Sequence, residues 1–191
     1  MRQLPNILTI SRIVLAAFFA MFLAQGSRIA AIIAAVIFFL ASLTDYYDGY
    51  FARKQNLPSN FGAIMDPIAD KFLILAAFFI FAQMGLIPLW MFFIIFAREA
   101  LVTGSRLLAM RRGKVIAAEK AGKCKTVSQI VAISVILISI ILQRSIATTR
   151  WTESILMFWQ YGIFGLMLIT VILTLYSGIL YFWHNRKGMY A

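Results

Sequence analysis

Asp45-Tyr46-Tyr47-Asp48-Gly49-Tyr50-Phe51-Ala52-Arg53 and, eight residues on, Gly62-Ala63-Ile64-Met65-Asp66-Pro67-Ile68-Ala69-Asp70 contain every aspartate of the 191-residue chain. Apolar residues 28–52 lead into the first block, and residues 62–84 carry the second onward. A helix that crosses a membrane needs about 20 mostly apolar residues to cover about 30 Å of hydrocarbon. Outward from this pair, residues 5–24, 88–110, 122–143 and 154–183 have the same character, so six spans are expected. Gly85 and Pro88 mark the turn between the third and the fourth. The last is an uncharged run of 30 residues, which must tilt or extend beyond the bilayer.

Composition agrees with the spans. Hydrophobic residues make up 62% of the chain and charged residues only 13%, and the mean hydropathy is +0.88. Too little polar surface is left to clothe a globule, which excludes a soluble enzyme. One cysteine, Cys124, and one histidine, His184, can make neither a disulfide nor a zinc cage nor a Cys/His catalytic pair. Neither repeat nor linker divides the sequence, so residues 1–191 are expected to form a single membrane domain. Arg12 interrupts the first apolar stretch and no small-residue cleavage site follows, which argues against a removable secretion signal.

The net charge of +11 is unevenly distributed along the spans. With the N-terminus inside, Arg2, Arg53, Lys54, Arg111, Arg112, Lys114, Lys120, Lys123, Lys125, Arg186 and Lys187 lie at cytoplasmic ends, while Arg28, Arg144 and Arg150 lie opposite. Basic residues accumulate on the cytoplasmic side of membrane proteins, so both termini are expected there. Arg111, Arg112, Lys114 and Lys120 read as topology signals that also touch anionic lipid headgroups, and no nucleic-acid partner is expected. Trp90, Trp151 and Trp183 read as interfacial anchors.

The aspartates carry the chemistry. Asp45 and Asp48 are three apart, Asp66 and Asp70 four apart, so each pair shares a helical face. Gly49 and Ala52 accompany the first pair, Gly62 and Ala69 the second, and small residues let membrane helices approach closely. A charge inside a spanning segment costs at least about 2.5 to 3.5 kcal/mol, so four carboxylates brought together require positive charge among them. An all-oxygen donor set suits hard divalent cations, magnesium or manganese before calcium, and two ions best balance four charges. Pairing with Arg53, Lys54 and Lys71 as a solvated helix end is the plainer alternative, and a cation channel or carrier lined by these acids is another. Pro67 removes a backbone donor to the carbonyl of Ala63, so the third helix either starts late or kinks there.

The aspartate pattern, with Gly49, Ala52, Arg53 and Gly62 at their spacings, resembles the complete motif of the CDP-alcohol phosphatidyltransferase family. Three further segments are similar to stretches of the bacterial phosphatidylglycerophosphate synthase branch: Pro5-Asn6-Ile7-Leu8-Thr9-Ile10-Ser11-Arg12, Ala97-Arg98-Glu99-Ala100-Leu101-Val102-Thr103-Gly104-Ser105-Arg106, and Gly122-Lys123-Cys124-Lys125-Thr126. Ser105 and Cys124 depart from that pattern, standing where an apolar residue is expected. Together the likeness covers most of residues 4–130. To the last helix the sequence assigns only bulk hydrophobicity.

The resemblance implies an all-α integral membrane enzyme with six spans, a homodimer in the bacterial cytoplasmic membrane with its active site facing the cytoplasm. It implies transfer of a phosphatidyl group from CDP-diacylglycerol to an alcohol, with release of CMP. By the family pattern Asp45, Asp48, Asp66 and Asp70 form the site of two metal ions, and Asp70 is also the general base. Asn6, Thr9, Gly49, Ala52, Arg53 and Gly62 are expected to bind CDP-diacylglycerol. Arg98 falls near mid-membrane, where a lone guanidinium is costly, and either Glu99 is its structural partner or it serves a ligand. With Arg106, Lys123 and Lys125 it makes a basic group suited to a phosphate-bearing acceptor, sn-glycerol 3-phosphate. Inositol phosphate or serine are the other acceptors that the reaction class allows.

Overall fold

The computed structural model describes the backbone of residues 4–55, 62–111, 120–145 and 153–190, and the side chains of residues 11, 13–44, 71–110, 122–144 and 155–185. Among the described residues six α-helices follow one another: α1 (Leu4–Ala24), α2 (Arg28–Gln55), α3 (Gly62–Gln83), α4 (Leu89–Arg111), α5 (Lys120–Ser145) and α6 (Glu153–Tyr190). Each overlies one of the six apolar segments. The largest difference is at α6, which continues seven residues beyond the expected limit at 183. Apolar composition marks where lipid ends, whereas a helix ends only where its hydrogen bonding stops. Asn185 Nδ2 still donates to the carbonyl of Tyr181 at 2.8 Å within this extension. α3 begins at Gly62, ahead of Pro67, which removes the reading in which that helix starts late.

The turns follow from local chemistry. Between α1 and α2, Gly26 adopts φ 78°, and Ser27 caps α2 by accepting the Ala30 N–H on its Oγ at 3.1 Å. α3 ends in a Schellman motif. Gly85, at φ 72°, donates its N–H to the Ala82 carbonyl at 3.1 Å while Leu86 donates to Phe81 at 3.0 Å. An added side chain is rarely accommodated at such positive φ, which is why glycine stands at both turns.

The helices fall into two compact units, each drawn from separated stretches of chain: residues 1–80 with 136–150, and residues 81–135 with 151–191. In the first, α1 and α2 pack through Ala16, Phe19 and Leu23 against Ala30, Ala31, Ala34, Ala35, Phe38 and Ala41, all buried. The alanines keep the helix surfaces low, and the Phe19 and Phe38 rings meet with centroids 6.0 Å apart. Arg144, at the end of α5, donates from Nη1 to the Ser27 carbonyl at 3.1 Å. In the second unit α4 packs on α6, with Met91, Ile95 and Val102 buried on one and Met167, Val171 and Tyr181 on the other.

Each helix exposes large apolar side chains, among them Phe18, Val36, Phe72, Leu101, Val127 and Phe158. Contiguous apolar exposure is rare on soluble monomers and ordinary for a surface in contact with lipid. Gly122–Arg144 and Ile155–Asn185 are each long and apolar enough to cross a membrane, and Ile13–Ala24, Arg28–Thr44 and Lys71–Gln83 are shorter apolar stretches among the described residues. These are the features of a membrane protein.

Candidate active site

Within the second unit three helices bring charge together inside apolar surroundings. Glu99 on α4 is 2% exposed and Lys125 on α5 is 4% exposed. The Lys125 ammonium donates to Glu99 Oε1, and the guanidinium of Arg98 reaches the same oxygen from Nη1 at 3.2 Å. Arg98 Nη2 donates to Ser177 Oγ of α6 at 2.9 Å, and Ser177 in turn donates to the Thr174 carbonyl at 2.9 Å. A buried charge is tolerated when it is paired and hydrogen-bonded. Among the described residues, one carboxylate here meets two cations.

A second cationic position lies two turns along α4. The Arg106 guanidinium stands 5.3 Å over the ring centroid of Tyr181 on α6, within cation–π range. The hydroxyls of Ser105 and Tyr181 are hydrogen-bonded at 3.2 Å, and Ser105 Oγ also donates to the Val102 carbonyl at 2.9 Å. Among the described residues, Arg98 Nε, Arg106 Nε and Thr103 Oγ1 are buried without a hydrogen-bond partner. Unsatisfied buried donors are uncommon in folded proteins, and here two belong to guanidinium groups, the side chains best matched to phosphate oxygens.

The residues expected to bind the acceptor phosphate therefore divide. Arg98 and Lys125 meet on Glu99, which makes Glu99 the partner of both rather than of Arg98 alone. Arg106 rests on Tyr181, and Lys123 is exposed near the start of α5. Asp45 and Asp48 lie on the later turns of α2 and Asp66 and Asp70 on the first turns of α3. Their side chains, with those of Asn6, Thr9, Gly49, Ala52, Arg53 and Gly62, lie outside the described residues.

Sequence reasoning missed the part played by α6. Ser177 and Tyr181 engage the two arginines of α4, and Gly178 lies against Arg98. A Cβ at Gly178 would stand 3.1 Å from Arg98 Cγ. The signal was present as a polar stripe of Thr170, Thr174, Ser177 and Tyr181, spaced four, three and four apart along one helical face.

Comparison with known proteins agrees with the motif. The model of the family described as CDP-alcohol phosphatidyltransferase matches residues 2–183. The chain is 41% identical over 150 residues to the CDP-diacylglycerol--glycerol-3-phosphate 3-phosphatidyltransferase of Bacillus subtilis, covering 72% of this chain and 78% of that one. It is 44% identical over 134 residues to a probable phosphatidylglycerophosphate synthase of Mycobacterium tuberculosis, covering 69% of this chain and 64% of that one. A Rickettsia typhi CDP-diacylglycerol--glycerol-3-phosphate 3-phosphatidyltransferase is 35% identical over 138 residues, with 72% of this chain and 78% of the relative covered. With a match over nearly its whole length and this agreement with several enzymes, the chain belongs to the CDP-alcohol phosphatidyltransferase family.

Proposed function

We propose that this enzyme transfers the phosphatidyl group of CDP-diacylglycerol to sn-glycerol 3-phosphate, giving phosphatidylglycerophosphate and CMP. In this reading the chain spans the bacterial cytoplasmic membrane six times as a homodimer, with both termini and the active site on the cytoplasmic side. The observation that carries the choice of acceptor is the set of cations on α4 and α5, with Arg98 and Lys125 meeting on Glu99, Arg106 over Tyr181, and Nε of both arginines buried without a partner among the described residues. A neutral alcohol has no use for it, whereas a phosphate-bearing acceptor does. The names of the relatives in Bacillus subtilis and Rickettsia typhi support the same acceptor.

Asp45, Asp48, Asp66 and Asp70 would hold two divalent cations, magnesium or manganese, and the all-carboxylate donor set fits such hard ions. Ions held there would supply charge neutralisation at the diphosphate and on the CMP leaving group. Asp70 takes the proton from the acceptor hydroxyl as its oxygen bonds to the β-phosphorus and the bond from that phosphorus to the CMP oxygen breaks. Arg98, Arg106, Lys123 and Lys125 hold the acceptor's phosphate. Asn6, Thr9, Gly49, Ala52, Arg53 and Gly62 line the CDP-diacylglycerol site, where residues without bulky side chains let cytidine approach the second helix.

The test is the lipid formed from CDP-diacylglycerol and isotopically labelled glycerol 3-phosphate by purified protein, with Asp70→Asn beside it. Phosphatidylglycerophosphate from the wild type, and no turnover in Asp70→Asn even at manganese concentrations that saturate its weakened site, is the expected pair of results. Full turnover by Asp70→Asn would remove the base assignment, and label remaining in the aqueous phase with wild type would remove the acceptor.

A further inference from the structure

We infer that α6 is a working part of the acceptor site, with Gly178 and Tyr181 as positioning residues that aim Arg98 and Arg106 of α4 at the acceptor's phosphate. The inference rests on the acceptor reading above and extends it to a helix for which the sequence suggested no chemistry. Three contacts carry it, and each fixes a guanidinium rather than merely filling space.

Ser177 Oγ accepts from Arg98 Nη2 at 2.9 Å, which fixes one edge of that guanidinium while Glu99 takes Nη1. Its Nε–H remains buried without a partner among the described residues. Gly178 has no side chain where the Arg98 stem crosses α6: a Cβ there would come within 3.1 Å of Cγ and 3.5 Å of Nε. The first of these distances is tighter than ordinary van der Waals contact, so any larger residue would displace Arg98 along its stem. One helical turn further, Tyr181 is 2% exposed, and its ring lies under Arg106 at 5.3 Å. Ser105 holds the hydroxyl of that ring at 3.2 Å. The serine that departs from the expected apolar pattern thereby acquires a role: it orients the tyrosine that orients the arginine.

A flexible arginine loses affinity when it must be ordered by the ligand itself, whereas one already held by its neighbours does not. Loss of Tyr181 should therefore weaken acceptor binding through Arg106 and leave the CDP-diacylglycerol site alone. The experiment is steady-state kinetics in detergent on wild type, Tyr181→Phe, Tyr181→Leu, Gly178→Ala, Arg106→Ala and the double variant Arg106→Ala/Tyr181→Leu, varying each substrate separately. Tyr181→Leu is expected to raise the KM for glycerol 3-phosphate about tenfold with the KM for CDP-diacylglycerol within about twofold. Tyr181→Phe keeps the ring and should recover all but about twofold of that loss. The double variant should match Arg106→Ala alone, because a residue that acts only through Arg106 has nothing to add once the arginine is gone. Gly178→Ala should raise the acceptor KM about fivefold through Arg98, and it carries the test if Tyr181→Leu does not fold.

Equal rises in both KM values, or additive losses in the double variant, would overturn the inference and make α6 a packing element. Wild-type activity that does not respond to glycerol 3-phosphate would overturn the acceptor reading and this inference with it. An active wild type whose Tyr181 and Gly178 variants keep their acceptor KM would overturn this inference alone.

Discussion

The two units of the molecule solve helix packing in opposite ways. α1 and α2 meet through alanines and the Phe19–Phe38 ring pair, with apolar atoms across the described interface. α4, α5 and α6 instead enclose Arg98, Glu99, Lys125 and Ser177, and Tyr181 supports Arg106. Lipid chains are as apolar as leucine, so helices in a membrane gain little by burying apolar faces against each other, and small residues with close contact suffice to hold them. Charge within such a bundle is expensive and is retained where a ligand needs it. The contrast separates a unit whose acidic residues are confined to the far turns of α2 and the near turns of α3 from one whose basic residues enter the helix interior.

Four perturbations would break or sharpen this contrast. The largest effect is expected from Asp66→Asn, which removes one carboxylate of the proposed metal set; turnover should fall by about a thousandfold, equivalent to about 4 kcal/mol in the barrier. Parallel manganese titration by electron paramagnetic resonance should show weaker binding, and unaltered binding would separate Asp66 from the metals. Glu99→Ala removes the buried carboxylate on which Lys125 and Arg98 meet and should cost about 3 to 5 kcal/mol of stability, read as a lowered thermal transition in detergent. An unchanged transition would mean that Lys125 and Arg98 are not held by Glu99.

Phe19→Ala should destabilise the first unit by about 3 kcal/mol through the cavity it leaves, with the KM for glycerol 3-phosphate unchanged. A raised acceptor KM in that variant would erase the functional distinction between the units. The smallest effect belongs to Ser27→Ala, where loss of the cap on α2 should cost about 1 kcal/mol. Denaturant titration would detect it, and a loss much above that would show that the Ser27 side chain does more than accept the Ala30 N–H.

Much of this architecture was legible in the residues because lipid imposes one strong requirement on a spanning segment. Long apolar runs, with Gly85 and Pro88 marking the turn after the third, located the helices closely. The run ending at Trp183 did not reveal that α6 continues through polar residues to Tyr190, since a helix needs hydrogen bonds rather than apolar side chains. The pairing of Arg98 with Glu99 was also readable, as neighbours on an apolar helix where a lone charge is costly. Lys125 was legible as a cation and not as the second partner of Glu99, because residues 26 positions apart on different helices meet only through the tertiary fold. For the same reason Tyr181 and Gly178 passed as bulk: their significance depends on which α4 residues they face, and the average hydropathy of α6 conceals a narrow polar stripe.

The most direct test of the central claim is CMP release from CDP-diacylglycerol by the purified protein with magnesium or manganese. It should be measured with glycerol 3-phosphate, inositol 1-phosphate, serine or no acceptor, and repeated after chelation. The account predicts release with glycerol 3-phosphate alone and its loss when the metal is removed. Release with serine or inositol 1-phosphate in preference to glycerol 3-phosphate, or release that survives chelation, would contradict it.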